Sequence, residues 1–381
     1  MDIVTTSNFH ATLLPGLVSV VFVPAKHIRH GSWPLLNLLL YSGCNFDENE
    51  GGCVRGDSHV CRSKQTEIFS IVSDREGATL FMDPSGVEMF KRAGMADLIT
   101  VAPQSWRAIQ IHLGPMVAEF PGVVSFLSKL LADDHISILN MSTYDTDVIF
   151  VQEQHLEAAI SCLQLKLSRG LHGLKEAKDA ENALSDREPT SPTDAAENAL
   201  SDREPTSPTD AAEDAGANEI SPSNVGDGQY LTLYPESLVL VRLQKDALRA
   251  SAYGLTQLVL LSTGAAATGD EPLVETGEMS FWCCCETVEE ISVIMDERCL
   301  PSFEEESVIV SPDRWRAIKL SGRMYGFDET GVVAAMSGCS TNTQVLNVSC
   351  FGSNVAFVLD DMLDEAIETL CSSLEISRVE R

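Results

Sequence analysis

Trp106-Arg107-Ala108-Ile109 recurs as Trp315-Arg316-Ala317-Ile318, and each copy leads, 34 to 36 residues on, into a matching run. The two runs are Ser142-Thr143-Tyr144-Asp145-Thr146-Asp147-Val148-Ile149-Phe150-Val151 and Ser349-Cys350-Phe351-Gly352-Ser353-Asn354-Val355-Ala356-Phe357-Val358. Alternating β-branched and aromatic residues after a Gly- or Asp-containing turn read as strands. A duplication well over a hundred residues long predicts two similar halves that pack as a pseudo-symmetric pair, with their interface a natural place for a ligand.

Working outward from the first copy, Gly16 to Val23 reads as a strand and Trp33 to Tyr41 as a helix. Glu67 to Ser73 and Ala78 to Met82 read as two strands, followed by a helix from Pro84 to Ala93. Trp106 to Leu113 is strand-like, Pro121 to Ala132 helical, Ile136 to Ser142 and Val148 to Val151 strands, and Glu153 to Leu167 helical. In the second half the same rhythm runs through Ser280 to Cys285, Ile291 to Asp296, Trp315 to Ser321, Gly331 to Met336, Val345 to Cys350, Val355 to Leu359 and Leu363 to Leu374. The unit is close to βαββα with its last strand borrowed from a neighbour, which is the α+β, ferredoxin-like arrangement used twice per half. Four units follow at 1–105, 106–172, 229–314 and 315–381, with 173–228 as a linker. Trp106 and Trp315 are expected to anchor the core.

The 381 residues exceed one comfortable core, and 44% are hydrophobic. Fifty-six acidic against 26 basic residues give a formal charge of -30, which excludes nucleic acid and anionic membrane as expected partners. Eleven irregularly spaced cysteines, and an N-terminus without a charged leader, predict a reduced cytoplasmic chain. Leu13 to Val23 is too short to span a bilayer and is broken by Pro15 and Gly16.

Ala180 to Ala195 is followed at once by an identical copy, Ala196 to Ala211. A tandem without aromatics and rich in Asp, Glu, Ser and Pro predicts a disordered acidic linker. It reads either as a duplication that a loop tolerates or as a tether phosphorylated at Ser191, Ser207 or Ser221, each followed by Pro.

Tandem units of this size resemble ACT domains. More narrowly, Ile136-Ser137-Ile138-Leu139-Asn140-Met141-Ser142-Thr143-Tyr144-Asp145-Thr146-Asp147 and Gly326-Phe327-Asp328-Glu329-Thr330-Gly331-Val332-Val333-Ala334 resemble the cytosolic arginine sensors of TOR complex 1 signalling, the CASTOR-type family. The resemblance runs with gaps from about Leu17 to Leu374 and leaves out the linker. It implies an arginine pocket between the second and fourth units. Ser137 and Ile138 would come from one strand, and Gly326, Phe327, Asp328, Glu329, Thr330, Gly331 and Val332 from the loop entering a helix. Cys350, Phe351, Ser353 and Asn354 would close around the ligand side chain. It also implies that Tyr144, Asp145 and Asp147 contact a GATOR-type signalling complex, and that the chain is a homodimer without a cofactor.

Three positions depart from that pattern. Asn354 stands where the family has an aspartate for the guanidinium, Ser353 where it has an aromatic, and Asp145 where it has an amide. Losing a charge-assisted bond costs roughly 1–3 kcal/mol, so weaker arginine binding, another amino acid or an empty pocket all fit.

Read from the residues alone, Gly326 and Gly331 bracket a polar turn whose backbone N–H groups suit a carboxylate, with Asp328 or Glu329 for an ammonium. The same acids would equally serve as an N-cap. Cys44, Cys53, His59 and Cys61, with Asp57 between them, lack the paired spacing of a zinc knuckle, and Arg55-Gly56-Asp57 is a chance tripeptide. Cys283-Cys284-Cys285 reads as small hydrophobes in a strand. No nucleophile elbow, P-loop or dinucleotide fingerprint is present. The expected function is therefore an intracellular amino-acid sensor and not an enzyme. The alternatives are a ligand-independent adaptor, a sensor of a different amino acid, and a regulatory subunit of a biosynthetic enzyme.

Overall fold

The computed structural model describes residues 10–41, 67–112, 122–166, 228–245, 248–262, 281–340 and 344–381. The tandem repeat, the Ser191, Ser207 and Ser221 candidates, and the Cys44 to Cys61 segment with its zinc and Arg-Gly-Asp candidates lie outside these residues.

The chain enters through β1 (His10–Leu13) and runs into a first unit of β2 (Ser19–Pro24), α1 (Ala25–Ile28), α2 (Ser32–Tyr41), β3 (Phe69–Asp74), β4 (Gly77–Met82), α3 (Pro84–Phe90) and β5 (Thr100–Val101). The expected single strand over Gly16 to Val23 is thus shorter, because the turn at Pro15-Gly16 separates it from β1. A second unit holds β6 (Trp106–His112), α4 (Val123–Asp133), β7 (Ile138–Ser142), β8 (Thr146–Gln152) and α5 (Leu156–Lys166). The third has β9 (Tyr230–Leu233) ahead of it and comprises β10 (Leu238–Leu243), α6 (Leu248–Ser262), β11 (Phe281–Glu286), β12 (Ile291–Asp296) and β13 (Val308–Val310). A fourth follows as β14 (Trp315–Ser321), α7 (Val332–Ser337), β15 (Leu346–Cys350), β16 (Ser353–Leu359), α8 (Leu363–Ser373) and β17 (Val379–Glu380).

Pairing builds two sheets. In one, β5-β2-β4-β3 continues into β11-β12-β10-β13 through a six-residue antiparallel register, Phe69 to Asp74 against Glu286 to Phe281. In the other, β1-β6-β8-β7 meets β15-β16-β14-β9-β17 at Met141 opposite Val348. The second and fourth units therefore complete their sheets with borrowed strands, β1 and β9, that precede the first and third units. Corner contacts from Val18 to Trp106 and from Leu238 to Trp315 tie the sheets together.

Strand alternation sorts the side chains into layers. Val20, Phe81, Leu240 and Phe281 of one sheet and Ala108, Phe150, Ala317 and Phe357 of the other fill one buried cluster between the sheets. Their neighbours Val21, Leu80, Val241 and Trp282, and Ile109, Ile149, Ile318 and Val358, face the helices. Phe81 stacks on Phe150 at 4.6 Å and Phe281 meets Phe357 edge-on at 5.4 Å. Each fully buried aromatic contributes roughly 1.5–3 kcal/mol by leaving water, and each ring pair about 0.5–1.5 more. Both tryptophans of the duplicated motif are buried, as expected of core anchors.

A buried cation lies between the sheets. Lys319 of β14 reaches Asp74 at 2.6 Å and Glu76 at 2.9 Å, and Tyr234 donates to the same Asp74 at 3.5 Å. Burial works against its charge, yet Asp74 and the hydrogen bonds to both acids hold the ammonium above its usual range. The pair locks the first unit to the fourth.

Candidate ligand-binding site

The second and fourth units meet along a polar seam with an internal dyad. Asn140 N–H donates to Ser349 Oγ, and Asn347 N–H donates to Ser142 Oγ, each at 2.9 Å. Ser142 lies opposite Asp147, as Ser349 lies opposite Asn354. Asp147 accepts from Ser142 Oγ at 2.5 Å, whereas Asn354 and Asn347 exchange amide hydrogen bonds of 2.6 and 2.9 Å. A cavity opens on each side of this seam.

The first cavity, open to solvent, gathers most of the residues expected from sequence. Ser137, Ile138, Gly326, Phe327, Glu329, Val332, Cys350, Ser353 and Asn354 line it. Asp328, Thr330, Gly331 and Phe351 belong to the same loops without lining it. Phe351 turns instead toward the first unit, where its N–H donates to Thr79 Oγ1 at 2.9 Å and its ring packs 5.6 Å from Phe22. The loop before α7 is docked on the second unit: Ser137 Oγ donates to the Glu329 carbonyl at 2.9 Å, and Gln152 donates to that of Phe327 at 2.6 Å. Phe327 also meets Trp106 edge-on at 5.7 Å. A side chain at Gly326 would place its Cβ 2.5 Å from Asp328 Oδ1, a contact that the flexible Asp328 side chain can relieve by turning away.

Neither acid caps α7. The helix starts from Gly331, in the left-handed region at φ 84°, with no side-chain cap. Glu329 folds back to accept from Gly326 N–H at 2.7 Å and grips Arg323 through both oxygens, at 3.0 and 2.6 Å. The Arg323 guanidinium lies 4.0 Å above the Tyr325 ring, whose hydroxyl is held by Gln229 at 2.7 Å. Burial pushes both the Tyr325 hydroxyl and the Cys350 thiol up, keeping them neutral. Arg323, Tyr325 and Gln152 were absent from the sequence expectation; an arginine six residues before Glu329, with an aromatic between them, was the available signal.

The expected partner patch lies where the second unit docks on the third. Asp145 pairs with Arg242 at 2.7 Å, and Thr143 Oγ1 donates at 2.5 Å to the buried Glu290, whose carboxyl burial pushes up. Tyr144 is half-buried against the central cluster. Asp147 is only 7% exposed, so in this arrangement its carboxylate points inward and not to a partner surface. Cys283, Cys284 and Cys285 are buried strand residues facing alternate layers, as small hydrophobes would be. No metal-binding cluster occurs among the described residues, and no helix there is long and apolar enough to cross a membrane.

With this geometry in place, the chain can be set beside known families. Residues 101–164 and 310–372 each match the ACT domain family model. They cover the second and fourth units, the two that frame the cavity. ACT domains are regulatory, ligand-binding modules and not catalysts, in agreement with the expectation of a non-enzyme.

The similarity extends to particular proteins. The human cytosolic arginine sensor for mTORC1 subunit 1 is 25% identical over 319 residues, spanning 81% of this chain and 87% of that protein. Its mouse counterpart is 25% identical over 325 residues, spanning 81% and 86%. For the bovine protein the figures are 24% over 321 residues, 81% and 87%.

Proposed function

We propose that this chain is a cytoplasmic amino-acid sensor: a free amino acid, arginine the first candidate, binds the cavity between the second and fourth units and regulates TOR complex 1 signalling through a GATOR-type partner. On this reading all four units, with the boundaries given above, are ACT domains, and the chain works as a homodimer. The observation that carries the proposal is the fork of Glu329 on a guanidinium at the mouth of the cavity. A carboxylate that already holds Arg323 through two oxygens, beside an aromatic ring that stacks on the same group, has the chemistry to hold an incoming cation. Similarity to arginine sensors along most of the chain supports the choice of ligand. For binding to signal, the ligand must favour one arrangement over another. The exchange of Arg323 for a ligand at Glu329 supplies such a difference, because it frees the 322–331 loop from its internal tie.

A ligand-independent adaptor is the second reading, favoured by one observation. The Asn354 amide is spent on Asn347 and Ser349, and the Ser353 hydroxyl on the Leu320 carbonyl at 2.6 Å. Thermal unfolding of the full chain with each of the twenty amino acids separates the two. Selective stabilisation that disappears in Glu329→Ala supports the sensor, with the stabilising amino acid as its ligand. Absence of any such shift supports the adaptor.

A further inference from the structure

We infer that the cavity on the other side of the seam is a second free amino-acid site, taking the ligand's carboxylate at the start of α4 and its cationic nitrogen on Asp147. This cavity, open to solvent, is bounded by Gly122 to Ser125, by Thr143, Thr146 and Asp147, by Ser337, and by the entry into β15. It is the dyad mate of the first. There, β7 brings Ser137 and Ile138 to the helix and hairpin of the fourth unit. Here, Gln344 to Leu346 come to the helix and hairpin of the second.

Three features point to an occupant. Helix α4 is eleven residues long and starts at Gly122, φ 84°, without a side-chain cap, so the N–H groups of its first turn lack intrahelical acceptors, and the residues of that turn line the cavity. Ser337 also lines the cavity while 2% exposed, and its Oγ has no hydrogen-bond partner. A buried hydroxyl left open is uncommon in a folded protein and is completed by whatever fills the space beside it. Asp147 also lines the cavity, and burial, opposed by hydrogen bonds from Ser142 and Asn140, pushes its carboxyl up to about 6. A carboxylate in that position gains from a cation that an apolar filler would not supply.

The two cavities differ in what is still free. Around the first, Glu329 is held by Arg323 and Asn354 by Asn347. At the second, Asp147 accepts from Ser142, but the Ser337 hydroxyl has no partner. The combination of a helix start, a buried acid and an open hydroxyl fits a compact zwitterion better than an anion or a sugar. The Thr143 to Asp147 turn also carries Tyr144 and Asp145, so an occupant would bear directly on the surface paired with Arg242.

The inference does not require the first cavity to bind anything, and its test is built to keep the two apart. Thermal unfolding of the full chain is recorded with each of the twenty amino acids in Glu329→Ala, and then with Asp147→Asn or Ser337→Val added. Asp147→Asn keeps the acceptor for Ser142, and Ser337→Val fills the open space. The unliganded melting of each confirms folding. The expected result is at least one amino acid that raises the melting temperature of Glu329→Ala by several degrees, with the shift lost in both added variants. If no amino acid stabilises Glu329→Ala, or if the shift survives both variants, the second site is refuted. Failure of the first site reads differently, as wild-type shifts that Glu329→Ala leaves intact.

Discussion

Replacing Asp147 by Asn should stabilise the unliganded protein, and by more at high pH than at low. Asp147 is buried, and desolvation raises its carboxyl from 3.8 to about 6 against the hydrogen bonds from Ser142 and Asn140. The folded state therefore keeps the proton to a higher pH than the unfolded chain does. Stability from this residue is full below the unfolded value near 3.8 and is lost as pH rises through about 6. A difference of about two pKa units corresponds to roughly 3 kcal/mol of lost stability near pH 8, and to about half of that near pH 5. Asn stays uncharged, keeps an oxygen for the Ser142 hydroxyl, and matches the shape of Asp, so it avoids that loss. Urea unfolding of both proteins near pH 5 and near pH 8 reads the difference directly. The expected gain is roughly 1.5 kcal/mol at the lower pH and roughly 3 at the higher. An Asn variant less stable than the wild type near pH 8, or a difference that does not change with pH, would refute the reasoning and make Asp147 a structural anion.

Lys319→Met strands the buried Asp74 carboxylate and should cost about 3–5 kcal/mol in urea unfolding, most of it restored by adding Asp74→Leu. Brief N-ethylmaleimide treatment followed by peptide mass spectrometry should label Cys371 before any other described cysteine, because Cys371 is partly exposed. The strand thiols should react only on unfolding, since burial pushes Cys285 up to about 12 and raises Cys283 and Cys284 as well.

The duplicated Trp-Arg-Ala-Ile motif and the two hairpins after it made the α+β, repeated architecture legible, because strand alternation and buried aromatics are local signals. Less legible were β1 and β9, since a borrowed edge strand is defined by a partner about a hundred residues away in sequence. The near-continuous apolar run of β10 and the weakly amphipathic α6 were passed over for want of a clear period.

The residues of the first cavity are legible through the family resemblance that two compact motifs carry, and not from periodicity. The tie from Arg323 to Glu329 was not, as both side chains sit in a loop whose path no periodicity reveals. The family resemblance puts Asp147 on a partner surface, whereas the alternation of β8 sets it on the helix-facing side with Ile149 and Val151. Applying the opening duplication to the cavity itself would have predicted its twin.

The most direct test of the sensor reading is calorimetric titration of L-arginine into the full chain, Arg323→Ala and Glu329→Ala. Arg323 is partly exposed, so its pair with Glu329 competes with about 1 kcal/mol, and its removal should tighten binding roughly fivefold. The account predicts binding to the wild type, tighter binding to Arg323→Ala and loss of that binding in Glu329→Ala. Equal binding to the wild type and Glu329→Ala, or no heat from any of the three proteins, would contradict it.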